Sequence, residues 1–146
     1  MKYIRRLESK HLDNVIYESK NSNSNFVIEI AKKSFYLKLN SEIEDEPKKV
    51  YEDEKVIFVE LNNTVFIFSV SEGSLLFMSK MYDDFDSVNK VYNGYLIICE
   101  TSVLLISKYS FSIIMVKIFP DFIEDYEVIN KKLCVFLNDE KFELLL

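Results

Sequence analysis

A chain of 146 residues suffices for one domain and is short for two, so functional residues are expected on a single core spanning 1–146. Apolar residues make up 49% and charged residues 29%, a balance that excludes a disordered polyelectrolyte and predicts a folded core. Lys and Arg number 18 against 24 Asp and Glu, and the net charge of −6 argues against nucleic-acid and anionic-membrane partners and for basic ones.

Residues 1–10 carry Lys2, Arg5, Arg6 and Lys10 but no apolar stretch of signal-peptide length. The apolar runs further on, such as 103–106, fall far short of the roughly 20 residues that cross a bilayer. A cytoplasmic protein without a membrane partner is the expectation. His11, the single histidine, sits in the polar stretch 9–13 and reads as a solvated loop or edge residue. A Ser/His/Asp or Cys/His nucleophilic site would have to use it.

Short β-branched and aromatic runs bounded by Asn, Ser, Asp or Glu recur along the chain, and none has the length or period of a helix, so the class is all-β. Residues 14–18, 55–60, 95–100 and 132–136 read as one strand repeated, the first three closing on Glu18, Glu60 and Glu100. A second strand follows each, at 26–30, 65–68, 103–106 and 142–146, and a third at 35–39, 75–78 and 113–116. Segments 85–91 and 126–129 are long enough to add a fourth, giving a unit of about 40 residues. Alternation along these strands predicts a core that includes Val56, Phe58, Val65, Ile67, Leu96, Ile98, Val103, Leu105 and Ile114. With two Gly and two Pro, the turns must come largely from Asn, Asp and Ser. As edge strands, 1–7 and 142–146 are expected to pair or be covered.

The stretch from Phe85-Asp86-Ser87-Val88 through Gly94-Tyr95-Leu96-Ile97-Ile98 to Ser102-Val103-Leu104-Leu105-Ile106 resembles a β-propeller blade in its outer, inner, middle strand order. The absence of Trp and of a Gly-Gly pair removes the WD40 and kelch signatures. The resemblance implies an antiparallel protein of about three and a half propeller-like blade repeats, forming a partial propeller or curved β-sandwich in preference to a closed ring.

Cys99 and Cys134 lie inside apolar runs and are expected as buried, reduced thiols. Two cysteines and one histidine do not make an ordinary tetrahedral zinc site. With Gly73 and Gly94 the only glycines, neither a nucleophile elbow nor a phosphate-cradling loop can form. The acidic runs 83–86 and 138–140 lack the spacing of an EF-hand loop. No metal, no cofactor and no enzymatic activity are expected. Glu18, Glu60 and Glu100 would form an acidic ring if they faced inward, although a solvated strand end is the commoner place for Glu.

Acidic clusters recur between the units: Glu42, Glu44, Asp45 and Glu46, then Asp83, Asp84 and Asp86, then Asp121, Glu124, Asp125 and Glu127. Glu44, Asp84 and Glu124 recur at equal intervals of one unit, and equivalent positions of stacked repeats share a face. Together with Tyr82, Phe85, Phe119, Phe122 and Tyr126 they predict an acidic rim with aromatic anchors. The partner-binding set is Glu44, Asp45, Tyr82, Asp83, Asp84, Asp86, Phe122, Glu124, Asp125 and Tyr126. The plainer reading is that acids keep the loops wet while aromatics anchor the blades.

In size, acidity, bias toward Lys, Ile, Asn, Phe and Tyr, and lack of catalytic motifs, the chain resembles bacterial immunity proteins of polymorphic-toxin and contact-dependent growth inhibition systems. That resemblance carries no individual residue. It implies a basic protein partner, a nuclease-type toxin whose phosphate-binding Lys and Arg would be covered by carboxylates. A scaffolding adaptor using a strand edge and a hydrolase using carboxylates alone are the alternatives.

Overall fold

The structure, a computed structural model, describes residues 4–7 and 13–146. His11 lies outside them. The described residues form strands and turns with no helix, so the protein is all-β.

Four sheets follow one another along the chain. The first contains β1 (Ile4–Leu7), β2 (Val15–Glu18), β3 (Ser24–Ile30) and β4 (Lys33–Leu39) in the order β1-β3-β4-β2. The second is a meander of β5 (Lys48–Glu52), β6 (Val56–Leu61), β7 (Thr64–Ser69) and β8 (Leu75–Lys80). The third repeats it with β9 (Phe85–Val91), β10 (Gly94–Cys99), β11 (Ser102–Ser107) and β12 (Ile113–Ile118). The fourth has three strands, β13 (Asp125–Ile129), β14 (Lys132–Leu137) and β15 (Glu140–Leu145). The pairings are antiparallel except that β2 lies parallel to β4. Both expected edges pair, β1 with β3 and β15 with β14.

The second strands of the last three sheets begin at Val56, Gly94 and Lys132, and the third strands at Thr64, Ser102 and Glu140, the same step along the chain each time. The first sheet breaks this phase. The run 14–18 was expected beside 55–60 and 95–100 as a repeated inner strand, but β2 is an edge strand and β3 holds the central position. Glu18, Glu60 and Glu100 are consequently not equivalent: Glu18 is exposed at the end of an edge strand, Glu60 lies within β6, and Glu100 is in the β10–β11 turn.

Asparagine makes several of the tight turns, in keeping with the scarcity of glycine, while Ala31-Lys32 closes the β3–β4 hairpin with φ of 50° and 64°. Among the described residues, Asn14, Asn21, Asn62, Asn63, Asn130 and Asn138 have positive φ because Asn tolerates the left-handed region. Asn62-Asn63 forms a two-residue hairpin between Leu61 and Thr64, with φ of 48° and 63°.

The chain divides into two compact units, Met1–Ser79 and Lys80–Leu146. In the first, Ile28, Leu37 and Leu39 pack with Ile57, Val59, Phe66 and Phe68. In the second, Leu96, Ile98, Val103 and Leu105 pack with Leu133, Val135 and Leu137. The central strands β7, β10 and β11 are buried at every residue, which is why they read as continuous apolar runs instead of alternating ones. The expected core residues are buried with one exception: Ile114, on the edge strand β12, is 51% exposed.

Candidate docking cleft

The connection before the first strand of a sheet runs beside the turn joining its second and third strands, since the first two strands are antiparallel. A carboxylate from the connection is hydrogen-bonded to that turn in three successive sheets. Glu44 accepts from Asn62 Nδ2 at 2.5 Å. Asp83 accepts from the amide and hydroxyl of Thr101 and from Ser102 Oγ, the last at 2.5 Å. Asp121 accepts from Asn138 Nδ2 at 2.7 Å. The separations are 18, 18 and 17 residues. The equivalent acids are therefore Glu44, Asp83 and Asp121, replacing the expected series Glu44, Asp84 and Glu124.

Glu44 also accepts from Tyr17 Oη at 2.9 Å and from the Asn40 amide at 3.0 Å. Burial works to raise its carboxyl, but hydrogen bonds from Ser19, Asn40, Tyr17 and Asn62 outweigh it and hold the group below the ordinary carboxylate range. Glu44 and Asp83 are thus engaged in holding their own sheets. Asp45 is exposed, with its amide 3.4 Å from Asn62 Oδ1. Tyr82 is 65% exposed, and the Asp84 carbonyl accepts from the Glu100 amide at 2.8 Å.

The other five expected residues come together. Asp86, Phe122, Glu124, Asp125 and Tyr126 line one cleft of about 300 Å³ in the second unit, with Ile98, Cys99, Glu100 and Ile123. Its floor is the end of β10 and its wall the connection 119–124 with the start of β13. The Ile123 amide donates to the Glu100 carbonyl at 2.7 Å and the Glu124 amide to the Phe136 carbonyl at 2.9 Å, fixing that wall. Tyr126 is held from β9: its hydroxyl lies 2.9 Å from Ser87 Oγ and accepts from Asn89 Nδ2 at 3.0 Å. Asp86, Glu100, Glu124 and Asp125 are exposed, as is Phe122, and no lysine or arginine lines the cleft.

Glu100 escaped the sequence-based selection because it reads as the closing residue of a strand. The signal was available in the hairpin: Glu100-Thr101 stands where Asn62-Asn63 and Asn138-Asp139 stand in the neighbouring sheets. Cys99 borders the cleft but is buried, and burial, with the charges of Asp83, Asp86 and Asp84, pushes its thiol up to about 12. It stays protonated at neutral pH, and both cysteines are free and buried. Among the described residues no group of three or more His, Cys, Asp or Glu has an arrangement that would hold a metal ion. Among the described residues no helix is long and apolar enough to cross a membrane.

No protein-family model and no curated protein matches the chain in sequence. The functional argument therefore starts from the cleft itself.

Proposed function

We propose that the chain is a non-enzymatic protein-binding module that captures a basic partner through the cleft of its second unit. The carrying observation is the pairing of four exposed carboxylates, Asp86, Glu100, Glu124 and Asp125, with the rings of Phe122 and Tyr126 in one concavity free of lysine and arginine. Such a site attracts cations at long range and gives an arginine or lysine stem an aromatic surface to lie on. The tie of Tyr126 to Ser87 and Asn89 fixes one ring in advance, which lowers the ordering entropy of binding.

The specific reading is neutralisation of a cationic, nuclease-type toxin, as in the immunity proteins the chain resembles. The carboxylates would occupy the Lys and Arg that otherwise hold nucleic-acid phosphates. Finding a toxin-sized reading frame directly upstream would favour this reading, and finding a metabolic operon would argue against it. The successive meanders, whose central strands start at equal steps, also support a blade-like repeat in the propeller manner.

Binding of a fluorescent deca-arginine peptide tests the module. The protein should capture it at about 0.05 M salt and lose it by about 0.3 M, where exposed charge pairs are screened. Glu124→Lys with Asp125→Lys should abolish capture with an unchanged circular dichroism spectrum. Undiminished capture by that variant would refute the cleft.

A further inference from the structure

The end of the second unit opposite the cleft has the reverse charge. The connections at the cleft end, 81–84, 100–101, 119–124 and 138–139, contain Asp83, Asp84, Glu100, Asp121, Glu124 and Asp139 and no lysine or arginine. The connections at the other end, 92–93, 108–112 and 130–131, contain Lys108 and Lys131 and no carboxylate. Lys108 Nζ lies 5.5 Å from the Tyr92 ring centroid and 5.2 Å from that of Tyr109, and Lys131 Nζ lies 4.3 Å from Tyr92. Tyr92 and Tyr109 are 69% and 81% exposed. Among the described residues neither lysine has a salt-bridge partner.

The repeat separates what this loop needs for folding from what it carries besides. Loop 69–74 of the second sheet and loop 107–112 of the third share one hydrogen-bond pattern. Ser69 and Ser107 donate to the carbonyls of Ser74 and Ser112, both at 2.9 Å. Their own carbonyls accept from Gly73 and Phe111 at 2.9 and 3.0 Å, and their hydroxyls accept from the Glu72 and Ser110 amides at 3.2 Å. The fifth position has positive φ in both, 64° at Gly73 and 51° at Phe111. The same loop therefore closes on Val70-Ser71-Glu72-Gly73, and its geometry demands neither Lys108 nor Tyr109. Phe111 occupies a conformation that bulky residues avoid, and its ring stacks on the buried Tyr95 at 6.4 Å. That stacking anchors the loop and presents the Lys108–Tyr109 knuckle in a fixed pose.

We propose that this knuckle docks into the acidic, aromatic cleft of a second copy of the chain, so that copies associate head to tail. The inference rests on the cleft being a site for cations, and charge complementarity selects the occupant. Knuckle and cleft lie at opposite ends of β10 and β11, separated by roughly 20 Å of strand, so one unit cannot satisfy both from within. Two different surfaces meet, so the contact does not close at a dimer and further copies can add. The overall negative charge opposes association, and the lysine–carboxylate attraction that drives it is screened by salt, so association weakens as salt rises.

Sedimentation of the full chain over a concentration series tests this, with deca-arginine binding measured in parallel. At about 0.05 M salt the average mass should rise past two copies and return to one copy by about 0.3 M. Lys108→Val with Tyr109→Ser, which copies the Val70-Ser71 pair, should weaken association about tenfold or more while leaving deca-arginine capture unchanged. Glu124→Lys with Asp125→Lys should lose both, and mixing that variant with Lys108→Glu should restore association with the two variants in equal proportion. A single-copy mass throughout, or association indifferent to the knuckle variant, overturns the inference. Retained deca-arginine capture in that event leaves the cleft standing, and lost capture removes the cleft too. Binding of a single-stranded oligonucleotide that the knuckle variant abolishes, without self-association, assigns the knuckle to anionic polymers and also overturns it.

Discussion

Asp83 grips Thr101 twice, through the backbone amide and through the hydroxyl, the latter at 2.6 Å. The adjacent Ser102 donates to the other carboxylate oxygen, so one side chain satisfies three donors at the β10–β11 turn. Asp84, its neighbour, is exposed.

This asymmetry predicts unequal effects. Asp83→Ala leaves the buried Ser102 hydroxyl and the Thr101 amide without their charged acceptor and should lower stability by about 2 kcal/mol. Asp121→Ala removes two exposed bonds, from Asn138 Nδ2 and from the Phe122 amide, which water can replace, and should lower it by less, about 1 kcal/mol. Urea denaturation of the two variants beside wild type checks the order, and equal losses would contradict the assignment.

Glu44 gives the first unit an acid sensitivity. Its folded pKa lies below its unfolded value, about 4.3, so its contribution is fully present above that value and lost as pH falls through the lower folded one. Between neutral pH and about pH 3, Glu44→Gln should flatten the fall in urea midpoint relative to wild type. A fall of the same size in the variant would show that Glu44 is not responsible.

Gly94 should tolerate no side chain. A Cβ there would stand 1.9 Å from the Ile106 carbonyl oxygen, inside the β10–β11 ladder. Gly94→Ala should cost about 3 kcal/mol or more, against little for Ala at the exposed Ser110. Thermal unfolding of both variants reads the difference.

Both thiols should be silent in the native protein. Cys99 and Cys134 are 1% and 3% exposed, and the Cys99 thiol is pushed up to about 12. A disulfide-exchange reagent at pH 8 should therefore label neither until denaturant is added, and then both. Rapid native labelling would contradict the burial.

The all-β class and the presence of a repeat were legible because apolar runs of even length alternate with Asn-rich and Ser-rich turns. The phase of the first sheet was not. Val15-Ile16-Tyr17 has the same apolar pattern as Val56-Ile57-Phe58, yet the former lies half-buried in an edge strand and the latter is fully buried. Side-chain pattern does not distinguish an edge from a centre, because strand position depends on pairing partners far along the chain. Four of the ten expected partner-binding residues, Phe122, Glu124, Asp125 and Tyr126, share the cleft because the connection and strand start that carry them are short and local, and Asp86 joins them from β9. Asp83 and Glu44 read like them in sequence, because sequence cannot tell a carboxylate turned onto a neighbouring hairpin from one turned to solvent.

The clasping carboxylates Glu44, Asp83 and Asp121 each precede the turn they hold, by 18, 18 and 17 residues. During synthesis every clasp is therefore already outside the ribosome when its hairpin emerges, and each of these sheets can be secured in turn without waiting for downstream chain. Tethers this short keep closure entropy low for an all-β protein and limit how long an unpaired strand is exposed to its neighbours in the cell.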